Sequence, residues 1–198
     1  RVARTLLGKY EEDAEFFFKE IRFPTTPNLT VKKFKLLKTK INNETDVGSM
    51  KVFPNMEEIE FRRIQIEPGI PSVTYTVNPK LNKIDIRLIT DPLIKFKFYQ
   101  IPGSYVGLRY LFLEDCAIQD GLILTDTPLE ILNIKKVKNL KVLQLKRLNK
   151  IEELDIHLVE PCVLVFDDVK VNKFDIECSD EATLDLNYNL NWNFKGFH

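Results

Sequence analysis

Hydrophobic positions recur along this chain in one phrase: apolar, two residues, apolar, one residue, apolar. It reads Leu129-Leu132-Ile134, Leu140-Leu143-Leu145, Ile151-Leu154-Ile156 and Val171-Phe174-Ile176, with weaker copies ending Leu164-Phe166 and Leu184-Leu186. The spacing gives one apolar strand about every ten residues and one full repeat about every twenty-one. The fourth and sixth members of the phrase lie two apart, so both point to one face of a strand. Ile, Val and Phe are frequent there, which suits a crowded pleated wall. A fixed period of this size predicts a solenoid, because no single unit can bury its apolar row alone.

The same phrase can be followed back towards the start. Val31-Phe34-Leu36 sits in a lysine-rich strand (Lys32, Lys33, Lys35, Lys38, Lys40). Met56-Ile59-Phe61 and Leu81-Ile84-Ile86 follow at steps of about 25 residues, Leu108-Leu111-Leu113 at a slightly longer step and Leu129 at a shorter one. Leu93-Phe96-Phe98 arrives early, about half a repeat after Leu81, and reads as an outer strand rather than a new coil. Repeats of about 25 residues have room for a short outer helix, whereas those of about 20 leave strand and turn on both sides. Residues 1–30 predict an N-terminal helical cap or the tail of an upstream domain. Ala14, Phe17 and Phe18 fall at helical spacing beside Tyr10, until Pro24 and Pro27 break the pattern. The expected fold class is therefore a β-rich α/β solenoid, a right-handed stack over residues 31–198 behind that helical cap. A start at Arg1 rather than Met is expected of a piece of something longer.

One coil carries a resemblance. Leu108-x-x-Leu111-x-Leu113-x-x-Cys116-x-Ile118-x-Asp120-Gly121-Leu122 resembles the cysteine-containing subtype of leucine-rich repeat, in which leucines are followed by Cys, an Ile-Thr-Asp turn and Gly-Leu. Here one residue is missing after Cys116, another before Gly121, and Gln119 replaces the Thr. The other coils keep only the strand phrase, which covers about residues 31–186. The resemblance implies a small thiol tucked into the turn beneath the leucine row. It also implies a substrate-receptor arm of a ubiquitin ligase, with an F-box upstream and a place in the cytoplasm or nucleus.

Composition narrows the function classes. With 44% hydrophobic residues the chain has ample core, and 29 basic residues balance 29 acidic ones, so no global charge draws it to nucleic acid or a membrane. No apolar run approaches the roughly 20 residues that span a bilayer. Three scattered cysteines (Cys116, Cys162, Cys178) read as buried thiols, not a disulfide framework. The sequons at Asn28 and Asn43 keep a secreted setting open. Neither His157 nor His198 sits in a triad-like pattern, the seven glycines never form a phosphate loop, and Cys162 and Cys178 lack a metal-ligand companion. No catalytic residue, metal or cofactor is expected from these signals.

Three charge and surface patterns remain. Asp155, Asp175 and Asp185 share the outward place between the fourth and sixth members of the phrase, near Asp167-Asp168. On a carbohydrate-active β-solenoid such a row could bind calcium, although a solvated face is the preferred reading. Seven basic residues (Lys135, Lys136, Lys138, Lys141, Lys146, Arg147, Lys150) precede a stretch from Glu152 to Asp185 with eleven acids and two lysines. They could meet phosphates or nucleic acid, but neutralising the acidic coils stacked next door is preferred, and no aromatic lies among them for base stacking. Finally, the late strands split into two faces. One shows Val142/Gln144, Val163/Val165 and Thr183/Asp185 and is partly apolar, which usually means that something covers it. The other shows Lys83/Asp85, Tyr110/Phe112, Ile131/Asn133, Glu153/Asp155 and Lys173/Asp175. Protein–protein recognition, as an adaptor within a multi-subunit complex, is expected on this second face, with Tyr110 and Phe112 as anchors.

Overall fold

The computed structural model describes residues 29–38, 40–41, 53–66, 68–101, 103–178 and 183–187. In chain order the strands are β1 (Lys33–Leu37), β2 (Lys40–Ile41), β3 (Glu58–Arg62), β4 (Gln65–Ile66) and β5 (Val73–Thr76). They continue with β6 (Lys83–Arg87), β7 (Ile94–Lys97), β8 (Tyr110–Glu114), β9 (Ile118–Gln119) and β10 (Gly121–Thr125). The last four are β11 (Ile131–Lys135), β12 (Val142–Leu158), β13 (Val163–Cys178) and β14 (Thr183–Asn187). Every pairing is parallel, and the strands wind into a β-solenoid of about six turns.

The first sheet stacks β1, β3, β6, β8, β11 and the C-terminal halves of β12 and β13. Its register joins Lys33 to Glu58, Lys83, Tyr110, Ile131, Glu153 and Lys173 in turn. The steps between these partners follow the spacing of the apolar phrase, so each phrase is one coil's contribution to this wall. The opposite side is built from β2–β4, then β5–β7–β9, then β10 with residues 142–146, 163–167 and β14. Leu93-Phe96-Phe98 thus contributes an outer strand, as its early arrival suggested.

Among the described residues there is no helix, which corrects the α/β expectation. The extra residues of the long coils make strands instead. β5 and β7 read Val-Thr-Tyr-Thr and Ile-Lys-Phe-Lys, where β-branched and aromatic alternation favours a pleat over a helix. Pro68, Gly69 and Pro71 punctuate the crossing before them. The expected helical cap falls mostly on residues 1–28, outside the described residues; Leu29 and Thr30 form a turn.

Coil length tracks what fills the interior. The longer, early coils enclose aromatic rings: Phe34 on Phe53 at 5.4 Å, and Phe61 and Tyr75 each on Phe96 at 5.8 Å. The shorter coils enclose Leu132, Ile134, Leu143, Leu145, Leu154 and Ile156. Each such aliphatic side chain, fully buried, contributes roughly 1.5–3 kcal/mol, and one continuous cluster runs from Val31 to Val169.

Two backbone devices turn the chain without breaking the ladder. At the exit from the first sheet, Lys38, Arg63, Leu88, Asp115 and Lys136 adopt left-handed φ of 46–57°. Their amides still donate to the next coil, for example Lys38 N to Arg62 O (2.9 Å) and Lys136 N to His157 O (2.9 Å). The bend is therefore made at a strained torsion, with no unpaired donor left behind. At the strand entry, two successive amides share one carbonyl of the coil before: Glu57 and Glu58 on Lys32 O, Asn82 and Lys83 on Glu57 O, Glu130 and Ile131 on Arg109 O. This bulge-like arrangement recurs coil after coil and sharpens the local twist.

Candidate functional site

The parallel register turns the outward residues of the first sheet into rows. The first runs Lys33, Glu58, Lys83, Tyr110, Ile131, Glu153, Lys173, and the second Lys35, Glu60, Asp85, Phe112, Asn133, Asp155, Asp175. The third runs Leu37, Arg62, Arg87, Glu114, Lys135, His157, Glu177. The ten residues that the sequence placed on the recognition face, from Lys83 to Asp175, all lie in the first two rows.

Towards the N-terminal end this face is an ion mesh. Lys33 reaches Glu58 at 2.8 Å, Lys35 pairs with Glu60, and Arg62 bridges Glu60 (3.1 Å) and Asp85 (3.2 Å). Arg87 approaches Asp85 at 2.7 Å and lays its guanidinium 4.6 Å from the centre of the Phe112 ring, a cation–π contact. Asp85 is consequently buried, not displayed. Lys83 stands half-exposed between Glu58 and Tyr110.

At the centre, Tyr110 and Phe112 are half-buried on the open face. The Tyr110 hydroxyl donates to Glu130 Oε2 at 2.7 Å, and Arg109 clasps the same carboxylate through Nε at 2.9 Å. These two donors hold the Glu130 carboxyl below its ordinary range, and the same carboxylate raises Tyr110 and Arg109.

At the C-terminal end, Asp155 Oδ2 accepts from Asn133 Nδ2 (3.1 Å) and pairs with Lys135 Nζ (2.6 Å). That contact with Asp155 raises the Lys135 ammonium. His157 stands beside them with Nε2 3.1 Å from Asp155 Oδ1 and 3.4 Å from Asp175 Oδ2, and Nδ1 3.1 Å from Glu177 Oε2. His157 is outward, as its sequence position suggested, yet three carboxylates surround it. The signal for this was present: His157 shares its place in the phrase with Lys135 one coil before and Glu177 one coil after. Glu153 and Lys173, in the first row, are neighbours across β12 and β13. Asp185 is separated from Asp155 and Asp175, because β14 pairs it with Val165 on the opposite sheet.

The seven basic residues are not gathered on one surface. Register places His157 beside Lys135, so one circuit runs from 135 to 157 and positions 135–150 travel most of the way round it. Lys135, Lys146, Arg147 and Lys150 form ion pairs with Asp155, Asp167, Asp126 and Glu152. Lys136 occupies a left-handed corner, Lys138 bridges to Ala117, and the Lys141 amide donates to Asp120 O. Three of these ion pairs join neighbouring coils, whereas Lys150 and Glu152 lie on one strand. The opposite sheet does present an apolar row, with Val142 and Val165 half-exposed and Val163 exposed. Cys116 is buried in the bend just after β8, in the same apolar core as Leu108, Leu111 and Leu113.

No protein-family model, curated protein or solved structure matches this chain.

Proposed function

We propose that the chain is a protein-recognition solenoid of leucine-rich-repeat type, acting as an adaptor or substrate-receptor arm of a larger assembly in the cytoplasm or nucleus. The observation that carries this reading is the first sheet's outer face, with three in-register rows of outward residues across seven strands. A wide, rigid face of this kind gives a partner a fixed pattern of charges around a half-buried aromatic pair, Tyr110 and Phe112. Aromatic anchors ringed by polar groups carry most of the affinity at many interfaces. Cys116 is buried, which is consistent with the thiol in the turn that the leucine-rich-repeat resemblance implies. Among the described residues no helix is long and apolar enough to cross a membrane.

The test is capture from cell extract on the immobilised chain, read by mass spectrometry, with a Tyr110→Ala/Phe112→Ala chain alongside. Partners retained by the wild type and lost by the double variant, at matching circular-dichroism melts, support the reading. Equal recovery on both chains refutes the placement of the site.

A further inference from the structure

The group around His157 has a geometry that an ion mesh alone does not require. Its members come from three coils: Asn133 and Lys135 on β11, Asp155 and His157 on β12, Asp175 and Glu177 on β13. One ligand atom from each of Asp155, His157 and Asp175 lies within 4.8 Å of the others. Four ligands around zinc at bond lengths of about 2.0–2.1 Å stand about 3.3–3.4 Å apart. His157 Nε2 is 3.1 Å from Asp155 Oδ1 and 3.4 Å from Asp175 Oδ2, so two edges of such a tetrahedron already exist.

A second observation concerns how these atoms are aimed. Asp155 Oδ2 is occupied by Lys135 and Asn133, while Oδ1 is buried and makes no aligned hydrogen bond despite its nearness to His157. The Asp155 carboxylate thus turns its second oxygen towards His157 Nε2, inside the cluster. Glu177 Oε2 lies 3.1 Å from His157 Nδ1, and Nε2 faces the two aspartates, at hydrogen-bond distance from Asp175 Oδ2 (3.4 Å); with the proton on Nδ1, Nε2 would offer its lone pair to an ion. A carboxylate behind a histidine in this way orients the ring and raises its basicity as a ligand.

We propose that Asp155, His157 and Asp175 bind one divalent first-row transition ion, zinc foremost, on the C-terminal half of the first face. The mixed nitrogen and oxygen donor set suits zinc, whereas calcium takes six to eight oxygens at about 2.3–2.6 Å. Asp175 is 73% exposed, so the site opens to solvent and a fourth position is left for water or an incoming ligand. Glu177 and Asn133 are positioning residues, and Lys135 holds the outer oxygen of Asp155. This inference stands apart from the protein-recognition reading, since the ion would bind with or without a partner.

The test is isothermal titration of the full chain, stripped with chelator, using zinc alone and then calcium alone. Saturable binding of one zinc per chain is expected, weakened at least 10-fold by Asp175→Asn and by His157→Ala. Glu177→Gln should weaken it by about 10–100-fold, the usual effect of removing a carboxylate behind a ligating histidine. Calcium should give no saturable heat. Asp175→Asn guards against misfolding as an explanation, because that side chain is largely in water. Zinc binding weaker than about 1 mM, or binding equally strong in Asp175→Asn and His157→Ala, overturns the proposal.

Discussion

Asp85 is the one charged residue buried among the described residues, and the ion mesh of the first face turns on it. Arg62 reaches it at 3.2 Å and Arg87 at 2.7 Å, while Glu60 offers Arg62 a second partner at 3.1 Å. Asp85→Ala removes both charge-assisted contacts and leaves two guanidiniums side by side. The Arg62 Nη2 hydrogen bond to Asp85 Oδ2 is of a kind that contributes about 1.5–3 kcal/mol when well shielded. Arg87 Nε lies near Oδ1 out of hydrogen-bond alignment and adds an ion pair alone. The arginines are 43% and 29% exposed, so water and Glu60 recover part of that loss. The net cost should be about 2 kcal/mol, below the ~3–5 kcal/mol seen when a fully buried pair is broken. Asp85→Asn keeps the shape and an acceptor and should cost roughly half as much. Urea denaturation followed by far-ultraviolet circular dichroism reads the change as a shift in midpoint at constant slope. A double-mutant cycle with Arg87→Ala should return a coupling of about 1 kcal/mol. A loss under about 0.5 kcal/mol, with no coupling, would show that backbone ladder and core alone hold this face.

Leu132 is fully buried between Leu111 and Leu154, so Leu132→Ala should cost about 3–4 kcal/mol, whereas Ile176→Ala on the half-buried last described strand of this sheet should cost about half that; equal urea midpoints would refute the difference. Glu130 is held below its ordinary 4.5 first by Tyr110 and then by Arg109, so its stabilisation is present above that value and fades as pH falls through the lower folded one. The stability gap between wild type and Glu130→Gln should therefore be full at neutral pH and close below about pH 4.5; a gap that persists into strong acid would count against the contact. Burial pushes the Cys116 thiol up to about 12 and Cys162 to about 11, and raises the half-exposed Cys178. A thiol reagent applied to the native chain should label Cys178 first and Cys116 last, which peptide mass spectrometry can order.

Much of the fold was legible in the apolar phrase because register in a parallel stack is set by burial. Sliding a strand by one residue would turn Leu111 and Leu113 outward and Tyr110 and Phe112 inward. The repeat lengths therefore carried over directly into the strand pairing, down to the change from longer early coils to shorter late ones. The outward residues were legible for the same reason, since a residue between two buried ones in a strand must face away from the core. The helix expected on the longer coils failed because length alone permits either element, and the residues of β5 and β7 settle the matter through their alternation.

What the sequence by itself determined is which residues face in, which face out, and the spacing at which each coil returns to the same wall. What only the tertiary structure decided is who meets whom across that wall. Asp85 became buried because two arginines converge on it, and Asp185 parted from Asp155 because β14 joins the opposite sheet. His157 came to lie among three carboxylates, two of them on the neighbouring strand, because stacking sets residues a full coil apart side by side. Alternation along a strand is a local property, written in period two. Contacts between coils depend on distances between side chains separated by a full turn, and those exist only once the ladder has closed.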